Sequence, residues 1–282
     1  MPFQPPEPLT IHRQPQLDRA TLVLALTGWM DGGDVSTGTV QRLIDLLGAK
    51  SIGQIDPEPF YIYNLPGSME VAALFRPFAE IEAGHVKSFE MPSNRFFVHE
   101  PAKLVFFVGK EPNVAWRTFG DCILRLAAEV GVARILFVGS FGGSVPHTRE
   151  PRLFVSCSDP ARLPELGRYG LKPSTYRGPG SFSTYLMTRA EPAGVEMISL
   201  VAEIPSYLQG TNPLSIEAVT RRLAKILQLP LDLDELRAAS TQWELQVTAA
   251  VEENAEMAKT VRDLENAYDN DLLQQETPEE QP

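Results

Sequence analysis

Two cysteines in 282 residues leave no disulfide framework to read. Cys122 and Cys157 each stand alone in apolar surroundings, so both are expected to be buried free thiols of a reducing compartment, the cytoplasm. Histidine is equally sparse: His12, His85, His99 and His147 are scattered, and no metal cluster can be assembled from their spacing. Long apolar runs are missing too. KLVFFVG and RILFVGS fall far short of the roughly 20 residues a membrane helix needs, so no membrane association is expected. The opening segment MPFQPPEPLTIHRQPQ lacks an apolar stretch of the kind that marks a secretory signal. An excess of basic charge is also absent. Residues 1–231 hold 22 acidic and 22 basic side chains, and no basic stripe interleaved with aromatics is present. Because nucleic-acid affinity rests on neutralising phosphates, that balance excludes a nucleic-acid partner.

What is present is an acidic C-terminal fifth. Residues 232–282 carry 14 Asp and Glu against 3 Lys and Arg, which accounts for the whole net charge of −11. Ahead of it, apolar runs alternate with helical periodicities. TLVLALT (21–27) reads as a buried strand, and VSTGTVQRLIDLLG as a helix through Val40, Leu43, Ile44 and Leu47, stopped by Gly48. FEMPSNRFFVHEPAKLVFFVG reads as a hairpin leading into a central strand, because Pro-Ser-Asn and Glu-Pro-Ala break its aromatic runs. A helix over NVAWRTFGDCILRLAAEVG, strands ARILFVGS and RLFVSCS, a helix over SFSTYLMTRAEPAG, a strand VEMISLVAEIP and a helix SIEAVTRRLAKILQL follow. Such alternation predicts an α/β fold, a three-layer α/β/α sandwich with a mostly parallel sheet, over residues 1–235.

Residues 236–270 change register. Trp243, Val247, Ala250, Asn254, Met257, Val261, Leu264 and Tyr268 follow a 4-3-4-3 spacing, a heptad seam with one polar member, Asn254. The seam can fold back on its own domain, as one helix or as a hairpin broken after Thr241, or it can pack between subunits. Residues 271–282 are polar and acidic and are expected to be disordered.

Three glycine-rich loops leave strands at positions where open α/β sheets bind ligands. In the first, GWMDGGD, Gly32 and Gly33 are expected at positive φ, with Asp34 as the cap of the following helix. Asp31 and Asp34 would repel a phosphate, and a Mg²⁺ between them would need further oxygen ligands, so no metal or cofactor is assigned. Neither G-x-G-x-x-G nor G-K-[ST] occurs there. The second loop, GSFGGSVPHTREPR, offers Gly142 and Gly143 for close backbone approach, with Ser140, Ser144, His147, Thr148 and Arg149 nearby. Ser plus His points to a nucleophile and base, but no G-x-S-x-G elbow accompanies them, and Arg149 could clamp an anion or pair with an acid. The third loop, TYRGPGSFST, places Gly178 and Gly180 before a helix opened by Ser181 or Ser183.

Taken in order, LTGWMDGGDVSTGTV, VGKEPNVAWRTFGDCIL, VGSFGGSVPHTREPR, YRGPGSFSTYL and LVAEIPSYLQGTNP resemble the proteasome assembly chaperone 2 family, in particular its long bacterial members with a helical C-terminal extension. The resemblance covers roughly residues 15–265. It implies a three-layer fold similar in topology to purine nucleoside phosphorylases, self-association into a homo-oligomer (a trimer among the options) and a protein partner. It brings no catalytic residues. Some relatives dock on proteasome rings through a C-terminal hydrophobic–tyrosine–any-residue tail, and this chain, ending EEQP, departs from that pattern. Two functions follow as expectations. One is a non-catalytic assembly-chaperone-like or scaffold protein. The other is a protein or enzyme binding a phosphate, nucleotide or carboxylate in a cleft at the glycine-rich loops.

Overall fold

Strict alternation along one strand explains the layering. In β2 (Ala20–Thr27), Leu22, Leu24 and Leu26 point to one face of the sheet, and Val23 and Ala25 to the other. Both sets are almost fully buried, so helices must cover both faces. The computed structural model describes residues 7–276. In chain order its elements are β1 (Leu9–Ile11), β2, α1 (Val35–Leu47), β3 (Lys50–Ile55), α2 (Met69–Ala73), β4 (Phe78–Glu82), β5 (His85–Glu90), β6 (Arg95–His99), β7 (Leu104–Lys110) and α3 (Trp116–Val130). They continue with β8 (Val132–Gly143), β9 (Leu153–Cys157), α4 (Leu163–Gly167), β10 (Leu171–Pro173), α5 (Phe182–Ala190), β11 (Glu196–Pro205), α6 (Pro213–Ile226), α7 (Asp234–Glu252) and α8 (Ala255–Glu276).

Nine strands form one sheet in the order β1-β3-β6-β7-β2-β8-β11-β9-β10. The central four, β7, β2, β8 and β11, run parallel, so their C-terminal ends share one edge. Antiparallel pairs flank them, which makes the sheet mixed rather than wholly parallel. β9 is antiparallel to β11 because no helix separates it from β8, and only a crossover could return the chain in the parallel sense. On one face Phe119, Ile123 and Leu126 of α3 and Phe182 and Leu186 of α5 meet Leu22, Leu24 and Phe107. On the other, Val40, Leu43 and Ile44 of α1 and Val219 and Leu223 of α6 meet Val23, Phe106 and Val138. Each such side chain contributes about 1.5–3 kcal/mol by leaving water. Edge-on ring contacts, such as Phe60 on Phe119 at 4.9 Å, order the first face further.

The expected hairpin is β6 and β7, antiparallel neighbours joined across Glu100–Ala102. β5 belongs elsewhere: among the described residues it pairs only with β4, in a two-stranded ribbon outside the main sheet. α6 starts at Pro213, capped by Asn212, whose Oδ1 accepts from the Ser215 N–H at 2.9 Å.

The extension is a helical hairpin. α7 packs along α6, and the chain breaks at Asn254, whose Oδ1 accepts from the N–H groups of Glu256 and Met257, both at 3.1 Å. Asn254 is therefore the cap of α8 and not a polar rung inside a continuous seam. The seam residues divide accordingly. Trp243 and Val247 on α7 are half-buried and Ala250 is exposed, whereas on α8 Val261 and Tyr268 are buried and Met257 and Leu264 half-buried. α8 runs through Glu276, so the disorder expected from residue 271 is replaced by helix as far as 276, and residues 277–282 lie outside the described range. Among the described residues no helix is long and apolar enough to cross a membrane.

Candidate functional site

Hydrogen bonds tie together the loops at the shared C-terminal edge. In the first, the Ser140 N–H donates to Met30 O at 2.9 Å and Ser140 Oγ donates to Gly32 O at 2.7 Å, so the end of β8 supports the turn after β2. Gly33 has φ +64, and a Cβ there would sit 2.9 Å from that of Asn212. Gly32 is not at positive φ; it is small because Ile204 Cδ1 would lie 3.0 Å from a Cβ. The capping role expected of Asp34 falls to Asp31. A short 3₁₀ turn over Gly32–Asp34 shifts the helix start, and Asp31 reaches across it to accept from the Thr37 N–H at 3.1 Å and Thr37 Oγ1 at 2.7 Å. Burial raises the Asp31 carboxyl to about 6, against the lowering effect of those hydrogen bonds. Asp34 itself adopts φ +54 and accepts from Thr211 Oγ1 at 2.6 Å.

The second loop divides in two. Its base, Ser140 to Gly142, stays at the sheet edge beside the first loop. Its tip turns toward the extension. Gly143 lets Glu203 approach, since a Cβ there would stand 2.3 Å from Glu203 Oε1, and that oxygen accepts from the Ser144 N–H at 2.7 Å and Ser144 Oγ at 3.2 Å. His147 is 1% exposed. Its Nδ1 lies 2.7 Å from Tyr207 OH, which also accepts from the His147 N–H, and its Nε2 lies 3.1 Å from Thr248 Oγ1 on α7. The pattern closes with a neutral ring, Tyr207 donating to Nδ1 and Nε2 donating to Thr248, and burial accordingly lowers the imidazole below its ordinary range. Arg149 makes a two-pronged pair with Asp269 at 2.8 and 2.9 Å. Arg152 bonds Glu203 and Asp271 and stacks 4.5 Å over the Tyr268 ring, whose hydroxyl donates to Glu150 O at 3.0 Å. The tip is thus a docking platform for α7 and α8.

The third loop arches from β10 to α5. Ser181 caps α5, its Oγ accepting from the Thr184 N–H at 3.2 Å and lying 2.8 Å from Ser183 Oγ. Glu111, which carried no signal in the sequence, ties the first loop to the third: one carboxylate oxygen accepts from the Trp29 N–H at 3.0 Å, the other from the Phe182 N–H at 2.8 Å. Between these loops and the outer strands β11 and β9 lies a cleft of about 720 Å³. Of the residues named from the sequence, Gly32, Ser140, Gly142, Ser181 and Ser183 line it. Asp31, Gly33, Asp34, Gly143, Ser144, His147, Arg149, Gly178 and Gly180 do not.

Ser144 and His147 do not form the nucleophile–base pair: Ser144 bonds Glu203 while both nitrogens of His147 are engaged elsewhere. Among the described residues no group of three or more His, Cys, Asp and Glu is placed to hold a metal ion. Both cysteines are free. Cys122 is buried, and burial pushes its thiol up to about 11; Cys157, expected to be buried, is only half-buried.

The PAC2 family model matches residues 25–251. A Mycobacterium tuberculosis protein of unknown function shares the fold at 24% identity and TM-score 0.83, covering 97% of this chain and 92% of its own. A M. tuberculosis proteasome-assembly chaperone homologue is 27% identical with TM-score 0.73, over 86% of this chain and 99% of its own. A PAC2 family protein of Streptomyces avermitilis is 26% identical with TM-score 0.70, over the same shares of the two chains. No curated protein matches the chain.

Proposed function

The chain belongs to the PAC2 family, and on that premise we propose that it is a cytoplasmic assembly factor or scaffold that acts by binding protein subunits, first of all copies of itself, and not by catalysis. The likeness to a proteasome-assembly chaperone homologue supports the class of function, and the two free thiols accord with the compartment.

One observation carries the reading: the ribbon β4–β5 with the short helix α2 before it. Met69, Leu74, Phe78, Ile81, Val86 and Phe89 there are 61% to 84% exposed. A register shift between Glu80 and Ile81 sets Ile81 opposite Val86, while Ala79 stands opposite Phe89, so these four share one face. An isolated two-stranded ribbon is marginal in water, and a contiguous exposed apolar face marks an interaction site. Covering this face with protein resolves both facts.

Native mass spectrometry of protein taken directly from lysate tests the reading, with Ile81→Asp plus Phe89→Asp as the probe. A homo-oligomer, alone or with co-purified subunits, that falls to monomer in the double variant is the expected result. A wild-type chain that is monomeric and unaccompanied at micromolar concentration would refute it.

A further inference from the structure

We propose that the cleft between the 174–181 loop and strands β9 and β11 binds an uncharged, hydroxyl-bearing ring molecule with the chemistry of a neutral glycoside. Its volume of about 720 Å³ falls within the range of organic small-molecule sites. It opens beside the C-terminal ends of the parallel strands β2 and β8, the edge where α/β folds place ligands.

The charge of the ligand follows from what lines the cleft. No Asp, Glu, Lys, Arg or His does so. Arg149, the cation expected to draw an anion, is held by Asp269 on the far side of the second loop, and the exposed Arg177 of the 174–181 loop does not line the cleft. The helix end that could have drawn one is also occupied: at the start of α5 the Phe182 N–H donates to Glu111 and the Thr184 N–H to Ser181. An anion would therefore meet a carboxylate close by and few free donors, and desolvating it there would be costly. The proposed ligand differs in charge from the phosphate, nucleotide or carboxylate expected from the glycine-rich loops.

The shape and polarity of the ligand follow from the rest. Ser199 interrupts an apolar strand face between Met197 and Val201, 9% exposed on the floor of the cleft. Ser156, Ser174 and Thr175 stand around it, and among the described residues none of these four hydroxyls has a side-chain hydrogen bond within the chain. A hydroxyl donates and accepts, so a group of them matches a ligand that does both. Trp29 at 64%, Tyr176 at 67% and Phe141 at 39% exposure add flat apolar surfaces to the same cleft. A sugar ring offers the complement, C–H groups on its face and hydroxyls on its edge. Free saccharides and unphosphorylated nucleosides both carry that ring.

The test is ligand-observed NMR followed by calorimetry on the full chain. The probes are neutral mono- and disaccharides, unphosphorylated nucleosides, and the phosphorylated counterpart of each. We expect saturable binding of at least one neutral probe, with its phosphorylated counterpart weaker. Which set binds separates saccharide from nucleoside. Ser199→Ala, nearly equal in volume, and Trp29→Ala should each weaken binding by about tenfold or more, with melting temperatures checked against wild type. Arg149→Ala should leave binding unchanged. Tighter binding of the phosphorylated member, sensitivity to Arg149→Ala, or no saturable binding of any neutral probe up to millimolar concentration would overturn the proposal.

Discussion

Two appendages leave the sandwich, and they treat their apolar residues in opposite ways. The extension α7–α8 carries the more regular pattern, yet it directs Val251, Val261 and Tyr268 onto its own chain and fastens them with Arg149, Arg152 and Thr148 of the second loop. The ribbon β4–β5 carries an irregular pattern and leaves Phe78, Ile81, Val86 and Phe89 in water. Periodicity tells that a surface will be covered, while burial in the chain tells by what. A heptad seam is satisfied by the first partner of suitable shape, and here a helix break at Asn254 supplies one within the same molecule.

That contrast can be broken at several points. The largest effect is expected from Tyr268→Ala, which removes a buried ring, its bond to Glu150 O and the Arg152 contact together. About 3 kcal/mol of α8 docking should be lost, read as faster hydrogen exchange in α8. Next is the pH dependence of Asp31. Because burial raises its carboxyl to about 6 from an ordinary 3.8, the folded state holds the proton more firmly than the unfolded chain. Stability from this group is full below pH 3.8, falls as pH rises to about 6, and is flat above. Asp31→Asn, which keeps a capping oxygen, should flatten that window and stabilise the protein at pH 7 by ~1 kcal/mol, checked by urea melts at several pH values. His147 has the opposite sign. Burial lowers its imidazole, so its contribution is full above the ordinary value of 6.5 and declines as pH falls below it. Hydrogen exchange in α7 and α8 should therefore quicken on mild acidification, and His147→Gln should blunt that response. Arg149→Ala, removing a partly exposed pair, should cost about 1 kcal/mol. The smallest stability effect is expected at the ribbon: Ile81→Asp and Phe89→Asp should each change it by no more than about 0.5 kcal/mol.

How much of this was legible beforehand varies with the range of the interactions. Strand–loop–helix units such as Ala20–Leu47 rest on local alternation, and the sequence shows them directly. Asn254 reads from its spacing as a rung of the seam, and it is a helix cap instead because the chain breaks there, which the spacing does not show. The ribbon was hidden by its register shift, which spoils alternation where strands are recognised. Glu111 was silent because its partners, Trp29 and Phe182, lie 82 and 71 residues away. The cleft drew on Ser140, Ser156, Ser174 and Ser199, hydroxyls with no common spacing, gathered only by the order of strands in the sheet. Arg149 sat in a loop rich in ligand-binding residue types, and its acid, Asp269, comes 120 residues later.

The most direct measurement is the native mass of three proteins at micromolar concentration: wild type, Ile81→Asp plus Phe89→Asp on the ribbon, and Leu245→Asp on the exposed side of α7, where Leu245 is 66% exposed. The ribbon account predicts an oligomer for wild type and for Leu245→Asp, and a monomer for the ribbon variant. An oligomer that survives in the ribbon variant, or that dissociates in Leu245→Asp, would contradict it.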